Sequence, residues 1–283
     1  MKKSILFCVL LLIGTLAEAQ IQTPAASAPA SVSTQVGLTD IKVDYFRPRA
    51  KGRKIFGTEA AVLVPYGKIW RTGANSGTKI SFSDDVTIEG KSVPKGEYLI
   101  FTWPGATEWT ISLYKDLTLG GNTGGYKEEN EVAKFKVKPE KLTEKLEMFT
   151  INITDIAPDN TSAKIQLAWE NTSVKFGVGV SFDEKVMKSI ESNTKVNPGN
   201  YFQAAVYYLE TGKDLKKALE WINIAAEANP NAFWITHQKA KIQKALGDKA
   251  GAKATATASL ESAKSQGNRD YQMMNEDLIK SLN

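Results

Sequence analysis

"DDVTIEGKSVPKGEYLIFTW", residues 84–103, decides the fold class. Val86 and Ile88 flank Thr87, Glu89-Gly90-Lys91 supplies a turn, Pro94-Lys95-Gly96 supplies another, and the run from Tyr98 to Trp103 is rich in aromatic and branched residues. A period of two, broken at short intervals by Gly and Pro, marks antiparallel strands. The same alternation recurs at 41–45, 78–82, 109–114, 133–137, 147–154, 162–169 and 174–180, with Asn171-Thr-Ser-Val174 read as a hairpin turn. Roughly nine strands result. With no helical period over this span, two packed sheets or a closed barrel bury the apolar faces. The reading is an antiparallel β-sandwich, jelly-roll-like, over residues 35–182.

After Val180 the period changes. Ser181-Phe-Asp-Glu184 fits a capping box, and Val186, Met187 and Ile190 then share a helical face. Farther on, "GKDLKKALEWINIAAEANP" aligns with "GDKAGAKATATASLESAKS" at a shift of 34: Asp214 on Asp248, Ala218 on Ala252, Ile222 on Ala256, Ala225 on Ser259. That period resembles tetratricopeptide repeats. The expectation for 183–283 is an α-helical hairpin repeat domain with units at about 198–230 and 231–264. Helices at 183–191 and 270–282 cap it, the latter with Tyr271, Met274, Leu278 and Leu282 on one stripe. Such an array either docks on the sandwich, which its shortness favours, or offers a groove to a protein or peptide through Tyr208, Trp234 and His237.

The chain starts with Lys2 and Lys3, an apolar run 5–16 and Ala17-Glu18-Ala19, the pattern of a secretory signal peptide cleaved after Ala19. The apolar run is too short to span a bilayer, and no second one follows. Cys8, the single cysteine, lies inside this leader, so the mature chain lacks thiol chemistry, disulfides and cysteine metal sites. Loss of Lys2, Lys3 and Glu18 leaves 34 Lys plus Arg against 30 Asp plus Glu. An excess that small and evenly spread is no nucleic-acid footprint. Residues 20–34, rich in Ala, Ser, Pro and Thr, read as a flexible leader.

Four phrases carry a family resemblance: "GLTDIKVDYFRPRAKGRKIFG" from Gly37, "LVPYGKIWRTGAN" from Leu63, "TKISFSDDVTIEGKSVPKGEYLIF" from Thr78 and "WTISLYKD" from Trp109. Over about 33–180 the chain resembles the exported bacterial family known as domain of unknown function 2911, with the helical tail many members carry. The resemblance implies a secreted or periplasmic protein of the Bacteroidetes type and brings no catalytic residues and no cofactor.

Chemistry must therefore come from residue types. Residues 42–71 hold eight basic side chains, Lys42, Arg47, Arg49, Lys51, Arg53, Lys54, Lys68 and Arg71, against Asp44 and Glu59. Guanidinium forks suit carboxylate, phosphate or sulfate, and an indole suits sugar rings. Arg47, Arg49, Arg53, Trp70, Arg71 and Asn75 are the candidate ligand residues, for an anion or carbohydrate. The competing structural reading puts Trp70 in the core and pairs Arg47 and Arg71 with Asp44 or Asp84.

Enzyme signals are thin, because the single histidine, His237, lies in the repeats and a triad in the sandwich would lack its base. Asp84-Asp85 reads as a turn, since neighbours on a strand face opposite sides. "GGNTGGY", 120–126, lacks the Lys-Ser/Thr ending of a phosphate loop and reads as a loop whose edges, Tyr114 and Tyr126, flank a cleft. The sequence thus points to an exported, non-enzymatic binding protein without metal or cofactor. Its rival is a carboxylate-dependent, glycosidase-like hydrolase, for which two carboxylates should face each other across a cleft.

Overall fold

The computed structural model describes residues 23–194 and 200–282. The expected signal peptide lies outside the described residues. The chain divides into two compact units, Met1–Ser181 and Phe182–Asn283.

The first unit is an antiparallel β-sandwich. One sheet has six strands in the order β1 (Ala28–Val36), β2 (Thr39–Arg47), β5 (Thr78–Phe82), β8 (Gly96–Trp103), β9 (Trp109–Tyr114) and β10 (Glu131–Val137). The other has four: β11 (Glu140–Thr154), β12 (Ser162–Val180), β6 (Val86–Ile88) and β7 (Lys91–Val93). A two-residue parallel pair, β3 (Phe56–Gly57) and β4 (Val64–Pro65), lies in the connection between β2 and β5. Alternation selects the inner faces: Ile41, Val43 and Tyr45 of β2, Ile80 and Phe82 of β5, and Ile151, Ile165, Leu167 and Phe176 of the opposing sheet are all buried. Tyr45 ties the sheets together, its hydroxyl accepting from Ile151 N at 3.1 Å and reaching Ile151 O at 3.4 Å.

Two local expectations fail. Residues 28–34, expected to belong to a flexible leader, form most of β1, which pairs with β2 from Ala28↔Arg47 to Val36↔Thr39. Small residues suffice there because an edge strand is held chiefly by its backbone ladder. Asn171-Thr-Ser-Val174 is not a hairpin turn, for β12 runs through it and pairs Thr172 with Lys141 and Ser173 with Glu140. The irregularity sits one residue earlier: Glu170 has φ 54° within the bulged part of the ladder, so the strand bends without reversing. Residues 68–71 contribute a single bridge, Trp70 to Thr102.

The second unit has six helices among the described residues: α1 (Asp183–Thr194), α2 (Tyr201–Glu210), α3 (Leu215–Ala228), α4 (Phe233–Ala245), α5 (Lys249–Ser265) and α6 (Arg269–Lys280). The 34-residue shift maps equivalent positions onto one another. Asp214 and Asp248 both cap, accepting from Lys216 N at 2.9 Å and from Gly251 N at 2.8 Å. Ala218, Ala252, Ile222 and Ala256 are all wholly buried. The stripe expected on α6 is corrected, since Met274 is 51% exposed and the buried residue of that helix is Asn275.

Candidate functional site

The segment after β2 does not leave the sandwich. Phe149 N donates to Pro48 O at 3.0 Å and Ala50 N to Glu147 O at 2.7 Å, so residues 48–50 are strapped to β11. A tight turn follows, with Lys51 at φ 51° and Arg53 N donating to Ala50 O at 3.0 Å. Glu147 closes it by accepting from Lys51 N at 2.8 Å. The Arg53 guanidinium folds back on the same turn, giving Nε to Ala50 O at 3.0 Å and Nη2 to Arg49 O at 2.8 Å.

This strap forms one wall of a pocket of about 550 Å³. Its lining includes the cationic residues Arg49, Lys51 and Arg53, the indoles of Trp70 and Trp169, and Gly73 and Ala74. No Asp or Glu lines it. Lys54, beside the strap, is by contrast paired with Glu59, whose hydrogen bond holds Lys54 above the usual lysine range and itself falls below the usual carboxylate range. The Arg49, Lys51 and Arg53 side chains meet no carboxylate among the described residues. A concave surface lined by three exposed cations and no carboxylate, with Glu147 bound to the Lys51 amide beside it, carries a net positive field.

The six ligand candidates separate. Arg49, Arg53 and Trp70 line the pocket; Arg47, Arg71 and Asn75 do not. Arg47 is structural, Nε bonding Phe149 O at 3.2 Å and Nη2 bonding Thr150 Oγ1 at 2.9 Å. Its expected partner Asp44 pairs instead with Lys42 at 2.9 Å. Arg71 turns to its own loop, Nη1 donating to Asn75 O at 3.0 Å, and so leaves Asn75 engaged through its carbonyl.

Trp70 is corrected from stacking surface to core. It is 9% exposed, stacks on Trp169 at 5.9 Å and takes edge contacts from Phe149 at 5.2 Å, Phe56 at 5.9 Å and Trp109 at 6.3 Å. Its Nε1 donates to Gly73 O at 3.2 Å. What faces the pocket is the margin of a packed indole, too little to seat a sugar ring.

The glycine-rich loop has a packing role. Three short 3₁₀ turns, at Leu117–Leu119, Thr123–Gly125 and Glu128–Asn130, cover the outer face of β8 and β9, where Leu99, Phe101 and Tyr114 are buried under Leu119 and Tyr126. Tyr114 and Tyr126 stack at 4.8 Å and so close this face rather than flank a cleft. Burial first, and the Glu131 carboxylate 2.7 Å from its hydroxyl, push the Tyr126 phenol up. A Cβ on Gly121 would stand 2.2 Å from Asn75 O, so only glycine lets the two loops touch. Asp85 is a turn residue, accepting from Lys95 N at 2.8 Å.

The three groove candidates of the helical unit do not share a surface. Tyr208 packs edge-on against Trp221 at 4.8 Å and lines a pocket with α1 residues Met187 and Ile190. Trp234 is 41% exposed and does not line that pocket. His237 is 7% exposed, its Nδ1 donating to Asn275 Oδ1 at 2.8 Å. Asn275 Nδ2 in turn donates to Ser259 Oγ at 2.9 Å and Tyr271 O at 2.7 Å, and Ser259 Oγ donates to Phe233 O at 2.7 Å. Burial holds His237 below the usual imidazole range, helped by Lys241 and opposed by the Asn275 bond.

Sequence reasoning missed Lys51 as a pocket residue, along with Gly73 and Ala74. Lys51 stood in the basic segment without being singled out, and Gly73 and Ala74 belong to Thr72-Gly73-Ala74-Asn75, whose turn-like composition says nothing of a pocket.

Residues 27–178 match the family described as protein of unknown function (DUF2911), a span that takes in every pocket residue but Ala26. No curated protein matches the chain. Among solved structures, the solution structure of protein BPP2914 from Bordetella parapertussis is similar at 18% identity, covering 36% of this chain and 89% of that one with a TM-score of 0.32. A likeness of that size carries no argument.

Proposed function

The chain belongs to the DUF2911 family of unknown function, and from that premise we propose that its β-sandwich is a non-enzymatic module that binds a small anionic group. The observation behind this reading is the charge of the pocket: Arg49, Lys51 and Arg53 converge on about 550 Å³ lined by no carboxylate. Arg53 is held by two carbonyls before any ligand arrives, which lowers the entropy cost of binding. Of the two ligand classes considered from sequence, the anion is favoured and the stacked carbohydrate is not, because the faces of Trp70 are taken by Trp169, Phe149 and Phe56. A glycosidase-like hydrolase needs two facing carboxylates, and this pocket lacks them. The signal-peptide-like pattern of residues 1–19 supports a role in the cell envelope, in the periplasm or outside the cell.

The test is calorimetric titration of the mature protein with inorganic phosphate, sulfate and acetate at low ionic strength. Saturable binding is expected, weakening as salt rises and falling about tenfold in Arg49→Ala, the loss of one charge-assisted contact. Failure of all three anions to bind, or binding indifferent to Arg49, sinks the proposal.

A further inference from the structure

The segment that brings Gly73 and Ala74 to this pocket has a backbone feature that the pocket's cations do not explain. Thr72 is wholly buried and β-branched, yet it holds φ 54°, a left-handed conformation unfavourable for such a residue. Its surroundings fix it there. Thr72 Oγ1 lies 3.1 Å from Thr102 Oγ1, Thr78 Oγ1 donates to Thr72 O, and Trp70 exchanges both backbone bonds with Thr102, at 2.7 and 3.0 Å. Gly73 follows at φ 141°, where a Cβ would meet Phe46 O and Thr78 Oγ1 at 3.2 Å each.

The result is an imbalance of donors and acceptors. Every carbonyl from Thr72 to Asn75 takes a donor: Thr78 Oγ1, Trp70 Nε1, Gly77 N and Arg71 Nη1 in turn. The amides of Gly73 and Ala74 meet no acceptor among the described residues, although Gly73 is buried. Buried amides without acceptors are rare in folded proteins, and each needs an explanation. These two residues line the same pocket as Arg49 and Arg53.

Resting on the anion-binding reading above, we infer that Gly73 and Ala74 donate their amides to the ligand, and that the pocket takes a tetrahedral oxyanion, a phosphate or sulfate monoester. Two amides, the Arg49 fork, the unused Arg53 nitrogen and the Lys51 ammonium offer more donors than a carboxylate's two oxygens can use. A terminal phosphate or sulfate presents three oxygens in three directions, which suits donors supplied by two separate segments, 49–53 and 73–74. The strain at Thr72 then has a purpose: it sets an amide pair in place before binding, as in other backbone anion sites.

The test is a ¹⁵N amide titration of the mature protein, with backbone resonances assigned, using phosphate, sulfate and acetate at constant ionic strength. The Gly73 and Ala74 amides should shift saturably, with the midpoint found by calorimetry, and phosphate or sulfate should bind about tenfold more tightly than acetate. Whichever of the two binds more tightly identifies the ester. Saturable binding that Arg49→Ala weakens, but that leaves both amides unmoved, overturns this inference while the anion pocket stands. Acetate binding as tightly as phosphate and sulfate overturns the tetrahedral assignment. Absence of saturable binding by any anion overturns inference and pocket together.

Discussion

Replacing Trp70 separates a core residue from a ligand platform. A tryptophan buries about 200 Å², which at about 25 cal/mol per Å² corresponds to roughly 4–5 kcal/mol of hydrophobic stabilisation. Trp70 keeps 9% of its surface exposed, so nearly all of that applies. Trp70→Ala also loses the bond to Gly73 O and leaves a void among Phe56, Trp109, Phe149 and Trp169. The expected cost is about 3–5 kcal/mol, a large share of a domain's typical stability of about 5–15 kcal/mol. Trp70→Phe should cost less and keep the fold. The assay is urea unfolding followed by near-ultraviolet circular dichroism, with phosphate titration of the Phe variant alongside. A loss under about 1 kcal/mol for Trp70→Ala, together with lost anion binding in a folded Trp70→Phe protein, would refute the packing argument.

Tyr45→Phe removes the acceptor of the buried Ile151 amide and should cost about 1–3 kcal/mol in urea unfolding. Gly121→Ala forces a Cβ onto Asn75 O at 2.2 Å and should lower stability by about 1–3 kcal/mol, read as a drop in melting temperature; an unchanged melting temperature would deny the loop contact. His237 has its folded-state pKa depressed, chiefly by burial, so unfolding takes up a proton below the unfolded value. Its contribution is full above about pH 6.5 and falls by up to about 1.4 kcal/mol per pH unit until the folded pKa is reached. Helical-unit unfolding measured by far-ultraviolet circular dichroism should show that slope, and a His237→Gln variant should flatten it.

Local pattern made the strand class and the repeat period legible. Alternation in residues 84–103 and the Asp214/Asp248 pair needed no knowledge of neighbours, because turn chemistry and helix capping act within a few residues. β1 was missed because its inward positions Ala30, Val32 and Thr34 are only half-buried and alternate with Pro and Ser, which gives little periodic contrast. The bend at Glu170 was misplaced because Asn-Thr-Ser composition is common to turns and bulged strands. At the site, the basic segment pointed to Arg49 and Arg53, but Arg47 and Arg71 looked the same. Their fates depend on Phe149, Thr150 and Asn75, partners that only the folded chain supplies. The Gly73 and Ala74 amides had no sequence signal beyond the turn, since a backbone donor leaves no mark in side-chain identity.

Ser259 stands in its repeat where Ala225 stands in the preceding one, and the difference governs how the array can grow. A wholly apolar seam would accept any helix of suitable shape, so further copies of the unit could be appended by duplication. The seam at Ser259 works as a keyed joint: its hydroxyl and His237 both engage Asn275, whose amide reaches them from α6. A duplicated unit inserted ahead of α6 would bring no such amide, leaving His237 Nδ1 and its partners unmatched in a buried position, at about 1–3 kcal/mol for each orphaned group. Lengthening therefore requires the key to be copied with the lock.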